Sequence, residues 1–153
     1  MEVANQPKLK FHGVDFVNIQ FNSMKQYDGK TGIDFQIDPT VFYPENNELF
    51  FRIIMQISLV CNGFFDLKLV GLGNFELDKT LDDENLKKTF VNANAPAIMF
   101  PYVRSFITTL TSNLGGVTGS LVIPTQFFHG ELPEVTMNDE DLEQDAQPGN
   151  LYT

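Results

Sequence analysis

"PAIMFPYVRSFITTLTSNLGG", residues 96–116, has the length and apolar spacing of an α-helix but no wet side. Between Ile98 and Leu114 the only formal charge is Arg104. Phe100, Val103, Ile107, Leu110 and Leu114 fall at i, i+3, i+7, i+10 and i+14, a seam suited to packing on a sheet. Met99, Tyr102 and Phe106 form a second stripe beside it, and most remaining positions are Thr or Ser. Pro101 is expected in the first turn, where a missing N–H costs no hydrogen bond, and Gly115-Gly116 ends the helix. A helix apolar over so much of its circumference needs cover on two sides. With one sheet available for the first, the expected second cover is another subunit; the chain's own C-terminal segment is the alternative.

The sheet is read from four stretches of alternating hydrophobicity upstream. "VDFVNIQFN" sets Val17, Ile19 and Phe21 against Asn18, Gln20 and Asn22, and "GIDFQIDP" sets Ile33, Phe35 and Ile37 against Asp34, Gln36 and Asp38, with Pro39 as its stop. "LFFRIIMQISLVC" carries Phe51, Ile53, Met55, Ile57 and Leu59 on one face. After the hairpin dipeptide Asn62-Gly63, "FFDLKLVGLG" alternates Phe65, Leu67 and Leu69 with Asp66 and Lys68. Four strands joined by short turns predict an antiparallel meander with one solvated face. In "LDKTLDDENLKKTF", Asp82 or Asp83 caps a short helix with Lys87 and Lys88 late, as the helix dipole favours.

At 153 residues the chain is long enough for one core, and fifteen Phe without a Trp make phenylalanine its main packing unit. The net charge of −10 is unevenly placed: no Lys or Arg follows Arg104, whereas Glu131, Glu134, Asp139, Glu140, Asp141, Glu143 and Asp145 do. Nucleic acids and anionic membranes repel such a chain, because affinity for either comes from clustered cations. The expected organisation is one domain over residues 1–134 and an acidic, mobile tail over residues 135–153.

Signals for chemistry are weak. Cys61 is the sole cysteine, which excludes an intrachain disulfide and a thiolate metal cluster and fits a reducing cytoplasm. His12 and His129 have no metal-ligand spacing, Gly71-Leu-Gly73 lacks a third glycine and a following helix, and Gly115-Gly116 has no P-loop lysine. Helix capping accounts for Asp82, Asp83 and Glu84 without acid–base catalysis. The expectation is therefore a protein without catalytic residues, metal or cofactor. No stretch reaches the length of a membrane span.

"APAIMFPYVRSFITTLTSN", with FPY followed one residue later by Arg104 and then by Ile107-Thr108, resembles the long helix of the bacterial protein-export chaperone family SecB. The following "LVIPTQFF" and the strand "FFDLKLVGLGNFEL" are similar to their counterparts there, and the resemblance covers about residues 11–130. It implies an α+β fold: a four-stranded antiparallel sheet, with the long helix on one face and at the interface of a homotetramer built as a dimer of dimers. Tyr102, Phe106, Ile107 and Leu110 are the interface residues it implies. The implied function is that of a cytoplasmic chaperone in protein transport, holding unfolded preproteins in apolar grooves for translocation without ATP. Flexible aromatic and Met side chains suit such a surface. By position, the groove falls on Ile33, Phe35, Ile37 and Phe65, with Met99, Phe127 and Phe128 completing the wall.

The family's contact with the SecA translocase motor uses acids on the solvent face of the sheet. Here the matching positions are Asn18, Asn22 and Lys68, which removes that charge: SecA is the partner the resemblance implies, and a chaperone dedicated to one client and independent of the motor is the alternative. A different reading of the same Phe-rich face is a small α+β protein enclosing a compact hydrophobic ligand.

Overall fold

The computed structural model describes residues 9–44, 49–126 and 128–136. Strands β1 (Leu9–Ser23), β2 (Asp34–Phe42), β3 (Phe50–Cys61) and β4 (Phe65–Leu77) precede helix α1 (Glu84–Thr89). A π-helical turn, Phe90–Asn94, leads directly into the long helix α2 (Ala95–Ser112), and a two-residue strand β5 (Glu134–Val135) closes the described chain. The sheet order is β1-β4-β3-β2-β5. The expected four-stranded antiparallel sheet is thus a five-stranded mixed sheet, because β5 joins the free edge of β2 in parallel, at Val41↔Glu134 and Phe42↔Val135.

Two features of the strands depart from simple alternation. In β1, register shifts between Phe11 and Val14 and between Val17 and Gln20 each insert a bulge, where Gly13 and Asn18 take positive φ. The bulges bring Phe11, Phe16 and Phe21, five residues apart, onto the face that meets α2, opposite Phe75, Gly71 and Leu67. Val17 turns to the outer face and Ile19 is left exposed, so Val17, Ile19 and Phe21 do not share a dry side. In β2, Pro39 does not stop the strand, which runs on through Phe42. The adjacent outward-facing residue Val41 donates its N–H away from β3, to Pro133 O (3.0 Å), and the β2–β3 ladder is unbroken. Pro39 therefore stands where its missing N–H interrupts no pairing, as edge strands allow.

α2 crosses the sheet over β4, where Gly71 and Gly73 leave room for it. A Cβ on Gly73 would lie 2.6 Å from Met99 Sδ, and one on Gly71 would lie 3.0 Å from Met99 Cε. The glycines that look like half of a nucleotide loop in sequence are the seat of a methionine. Around it Phe51, Ile53, Met55, Leu59, Phe65, Leu67, Phe75, Met99, Val103 and Ile107 are each at most 2% exposed. Burying a side chain of this size stabilises by about 1.5–3 kcal/mol. Aromatic stacks reinforce the core, Phe51 on Phe75 between neighbouring strands (5.3 Å between ring centroids) and Phe16 on Phe106 between sheet and α2 (4.1 Å).

Because the π turn and α1 precede it, α2 begins at Ala95 and Pro101 lies inside the helix, not in its first turn. Pro101 and Ala97, whose carbonyl loses its helical partner, are both on the exposed side, where water can take that carbonyl. Asp83 caps α1 as expected, accepting from Asn85 N (2.9 Å) and Leu86 N (3.2 Å).

Candidate functional site

The free edge of β2 combines two properties. Along an antiparallel strand, alternate residues turn their backbone N–H and C=O toward the neighbour or away from it. Since Val41 points outward and the ladder with β3 is regular, Pro39, Ile37 and Phe35 point outward too. Among the described residues β5 pairs only with the Val41 and Phe42 end, so the edge beside Phe35 and Ile37 carries no partner strand. Ile33, Phe35 and Ile37 also project onto the helix side of the sheet, half-buried against the core. An open backbone edge and a row of accessible apolar side chains thus fall on one stretch of chain.

Aromatic rings extend this row. Phe35 meets Phe100 of α2 (6.4 Å between centroids), and Phe100 meets Phe128 edge-on (5.7 Å, 69°). Of the groove residues expected from sequence, Ile33, Phe35, Ile37 and Phe128 are half-buried along this side of the sheet. Phe65 and Met99 are fully buried, the first between Phe21 and Tyr27, the second over Gly71 and Gly73. Phe127 lies outside the described residues, as do Asp139, Glu140, Asp141, Glu143 and Asp145. Phe100 links Phe35 and Phe128, whereas its place in the sequence gives only a core seam residue; nothing in its spacing separates the two roles.

The second side of α2 is partly covered by the chain itself. Arg104 Nε donates to Ile123 O (2.8 Å) and Thr108 Oγ1 to Leu121 O (2.7 Å). The buried Thr111 Oγ1 accepts from Leu121 N (2.9 Å) and donates to Ile107 O (2.8 Å). Leu121 and Ile123 are buried beneath this polar stripe. The stripe 104, 108, 111 is a readable i, i+4, i+7 signal for a strap. Of the interface residues implied by resemblance, Ile107 is fully buried in the core of its own chain. Tyr102 is 52% exposed, with its ring on Phe11, and Phe106 and Leu110 are half-buried. With Ile98 at 38% exposure, they leave one apolar strip of α2 uncovered by the described chain.

The outer face of the sheet is different in character. Phe42, Ile54 and Leu72 form a small second core with Val17, Val70 and Val135, at the foot of a depression of about 350 Å³ rimmed by polar side chains. Asn18 lines it from the β1 bulge, and its buried Oδ1 has no hydrogen-bond partner among the described residues. Asn22 donates to Asp66 Oδ1 (3.0 Å), and Lys68 is exposed opposite Gln20.

Near the groove, burial pushes the Cys61 thiol up, aided by the charge of Asp28. Burial likewise raises the phenol of Tyr27, with the charges of Cys61 and Asp28 adding to it. Tyr43, beside β5, is raised by burial and then by Glu134. These groups are protonated and neutral near pH 7. The described part of the groove presents hydrogen-bonding backbone and apolar surface. Among the described residues no three His, Cys, Asp or Glu side chains are grouped to hold a metal, and no helix is long and apolar enough to cross a membrane.

No protein-family model matches the chain. It is 31% identical over 120 residues to an uncharacterized protein of Methanocaldococcus jannaschii, covering 74% of this chain and 76% of that one. With the protein-export protein SecB of Orientia tsutsugamushi strain Boryong it shares 26% identity over 124 residues, 75% of this chain and 76% of that one. With SecB of strain Ikeda it shares 29% over 109 residues, 70% of this chain and 63% of that one. Its fold matches that of the Mycobacterium tuberculosis Rv1957 SecB-like chaperone, solved in complex with a ChAD peptide from the Rv1956 HigA1 antitoxin. The TM-score is 0.62 at 14% identity, over 77% of this chain and 90% of that one. Sequence shared with protein-export proteins SecB over 70–75% of the chain, together with the shared α+β architecture, makes the chain SecB-like.

Proposed function

We propose that this protein is a molecular chaperone that holds unfolded polypeptides without ATP, along the β2 edge. The observation that carries the reading is the coincidence of open backbone and accessible apolar side chains in Phe35 and Ile37. An extended client segment would add as a strand, with alternate side chains set against Ile33, Phe35, Ile37, Phe100 and Phe128. Backbone hydrogen bonds, each worth about 0.5–1.5 kcal/mol net, are blind to client sequence. Apolar burial, at about 25 cal/mol per Å2, is non-directional, so many clients are accepted. Nothing in this step makes or breaks a covalent bond, and the protein acts as a binder, not an enzyme. The names of the SecB relatives support export-bound preproteins as clients, and the peptide-bound Rv1957 structure supports polypeptide as the ligand class.

The uncovered strip of α2, Ile98 and Tyr102 flanked by Phe106 and Leu110, supports assembly through this helix into the homotetramer. The outer sheet face supports a chaperone that works without the SecA motor, since it shows Lys68 and the amides of Asn18 and Asn22 where an acidic patch would be needed. The test is aggregation of a chemically unfolded protein on dilution, without nucleotide. Suppression at substoichiometric tetramer supports the reading; undiminished aggregation alongside a monomeric mass overturns it.

A further inference from the structure

The chain fills part of its own β2 edge. β5 pairs with Val41 and Phe42, Val41 N–H donates to Pro133 O (3.0 Å), and Leu132 N–H donates to Asn92 Oδ1 (2.8 Å). Asn92 belongs to the π turn between α1 and α2, an irregularity that turns a helical side chain toward the segment. Gly130, at φ 85°, gives the segment a bend immediately before it. Beyond the segment lies a depression of about 870 Å³, lined by Val41, Tyr43, Leu77, Lys87, Val91 and Leu132. Glu131 and Glu134 line this depression together with Leu132, and the strand edge on which the segment is seated runs on into the open stretch at residues 33–37.

We propose that residues 132–135 are a displaceable strand, and that the edge beneath them, with the depression behind it, is the second half of the polypeptide-binding surface. The inference rests on the reading of β2 as a client edge. Its occupant is an extended client strand, because the segment now seated there is itself an extended strand and the two halves are continuous along β2. Among the described residues the segment is held by a two-residue ladder, the Val41–Pro133 hydrogen bond, the Asn92 latch and the packing of two side chains, Leu132 on the main core and Val135 on the outer one. With one client residue set against each residue of the edge, the open stretch at residues 33–37 seats about five residues, and displacement extends the free edge to Phe42, about ten. Pro39 marks the junction, offering no N–H there, so a long client is held in two runs with a slack position between them. Short segments would bind without moving β5, whereas long ones would bind tightly only by replacing it.

The test uses the full chain with Cys61→Ala and two new cysteines, Phe42→Cys and Val135→Cys, which are ladder partners. Oxidation locks the segment down and reductant frees it, so each sample is its own folding control. The probes are fluorescent peptides of repeating Val-Thr, about six and about twelve residues long. In the reduced form the longer peptide should bind at least about tenfold more tightly; in the oxidised form the two should bind alike, at the affinity of the shorter. Asn92→Ala, which removes the latch along with an intrahelical donation to Lys88 O (2.9 Å), should raise affinity for the longer peptide several-fold and leave the shorter unchanged. Equal binding of the longer peptide by oxidised and reduced protein overturns the displaceable strand while leaving the edge reading intact. Failure of both peptides to bind either form overturns the edge reading and this inference with it.

Discussion

The central strands β3 and β4 and the edge strand β2 offer the same residue types to the same helix, yet their fates differ. Ile53, Leu59, Phe65 and Leu67 have no accessible surface, whereas Ile33, Phe35 and Ile37 are half-buried. The cause is position in the sheet. β3 and β4 each have a strand on both sides and α2 above, while among the described residues β2 has only β3 along most of its length. An isolated exposed Phe needs no explanation, but a half-buried row beside an unpaired edge is a place where another chain can finish the structure. Incomplete burial at β2 gives up stability that the same side chains would contribute at β3, and leaves that free energy to be released on binding.

Substitutions on each side of this divide should separate stability from binding. Phe65→Ala removes a sealed ring and should cost about 3–5 kcal/mol in urea unfolding, with polypeptide affinity per folded molecule preserved. Gly73→Ala forces a Cβ against Met99 Sδ and should cost about 1–3 kcal/mol by the same measurement. Thr111→Val strands the buried N–H of Leu121 and should cost about 1–3 kcal/mol, most of it restored by Thr111→Ser, which keeps the hydroxyl. Phe35→Ala, at the edge, should cost no more than about 1.5 kcal/mol of stability yet weaken peptide binding about tenfold. If Phe35→Ala instead destabilised as much as Phe65→Ala, the contrast between edge and centre would be gone.

The smallest effect concerns pH. Below about pH 8.5, the ordinary thiol value, Cys61 is protonated in both the folded and the unfolded chain and the stability is fully present. Above it the unfolded chain releases a proton that the folded chain retains, so stability falls as pH rises, and the raised Tyr27 and Tyr43 continue the fall near pH 10. Urea midpoints at pH 7 and pH 10 measure this, and a midpoint that rises toward pH 10 contradicts it. The same burial should leave Cys61 unreactive toward alkylating reagents in the folded protein.

The long helix, the hairpin at Gly63 and the capped start of α1 were legible in the sequence because each is set by local chemistry: apolar spacing, a positive φ and an aspartate cap. What escaped depends on partners far along the chain. Alternation cannot reveal the bulges at Gly13 and Asn18, which turn a period of two into a period of five for Phe11, Phe16 and Phe21. Pro39 reads as a stop unless its place on an outward-facing edge is known. β5 is two residues long and exists only because β2 has a free side, so no pattern of its own announces it. At the site, Phe35 and Phe65 look equivalent in sequence, each a Phe on an amphipathic strand, and only the strand order separates the accessible one from the sealed one.

Amide hydrogen exchange at residues 34–38 tests the edge most directly. In the free protein the Phe35 and Ile37 amides should exchange near the rates of an unfolded chain, and those of Gln36 and Asp38, which face β3, far more slowly. Adding an unfolded polypeptide should slow Phe35 and Ile37 at least about tenfold and leave Gln36 and Asp38 unchanged. Bound polypeptide with no change at Phe35 and Ile37 would contradict strand addition at this edge.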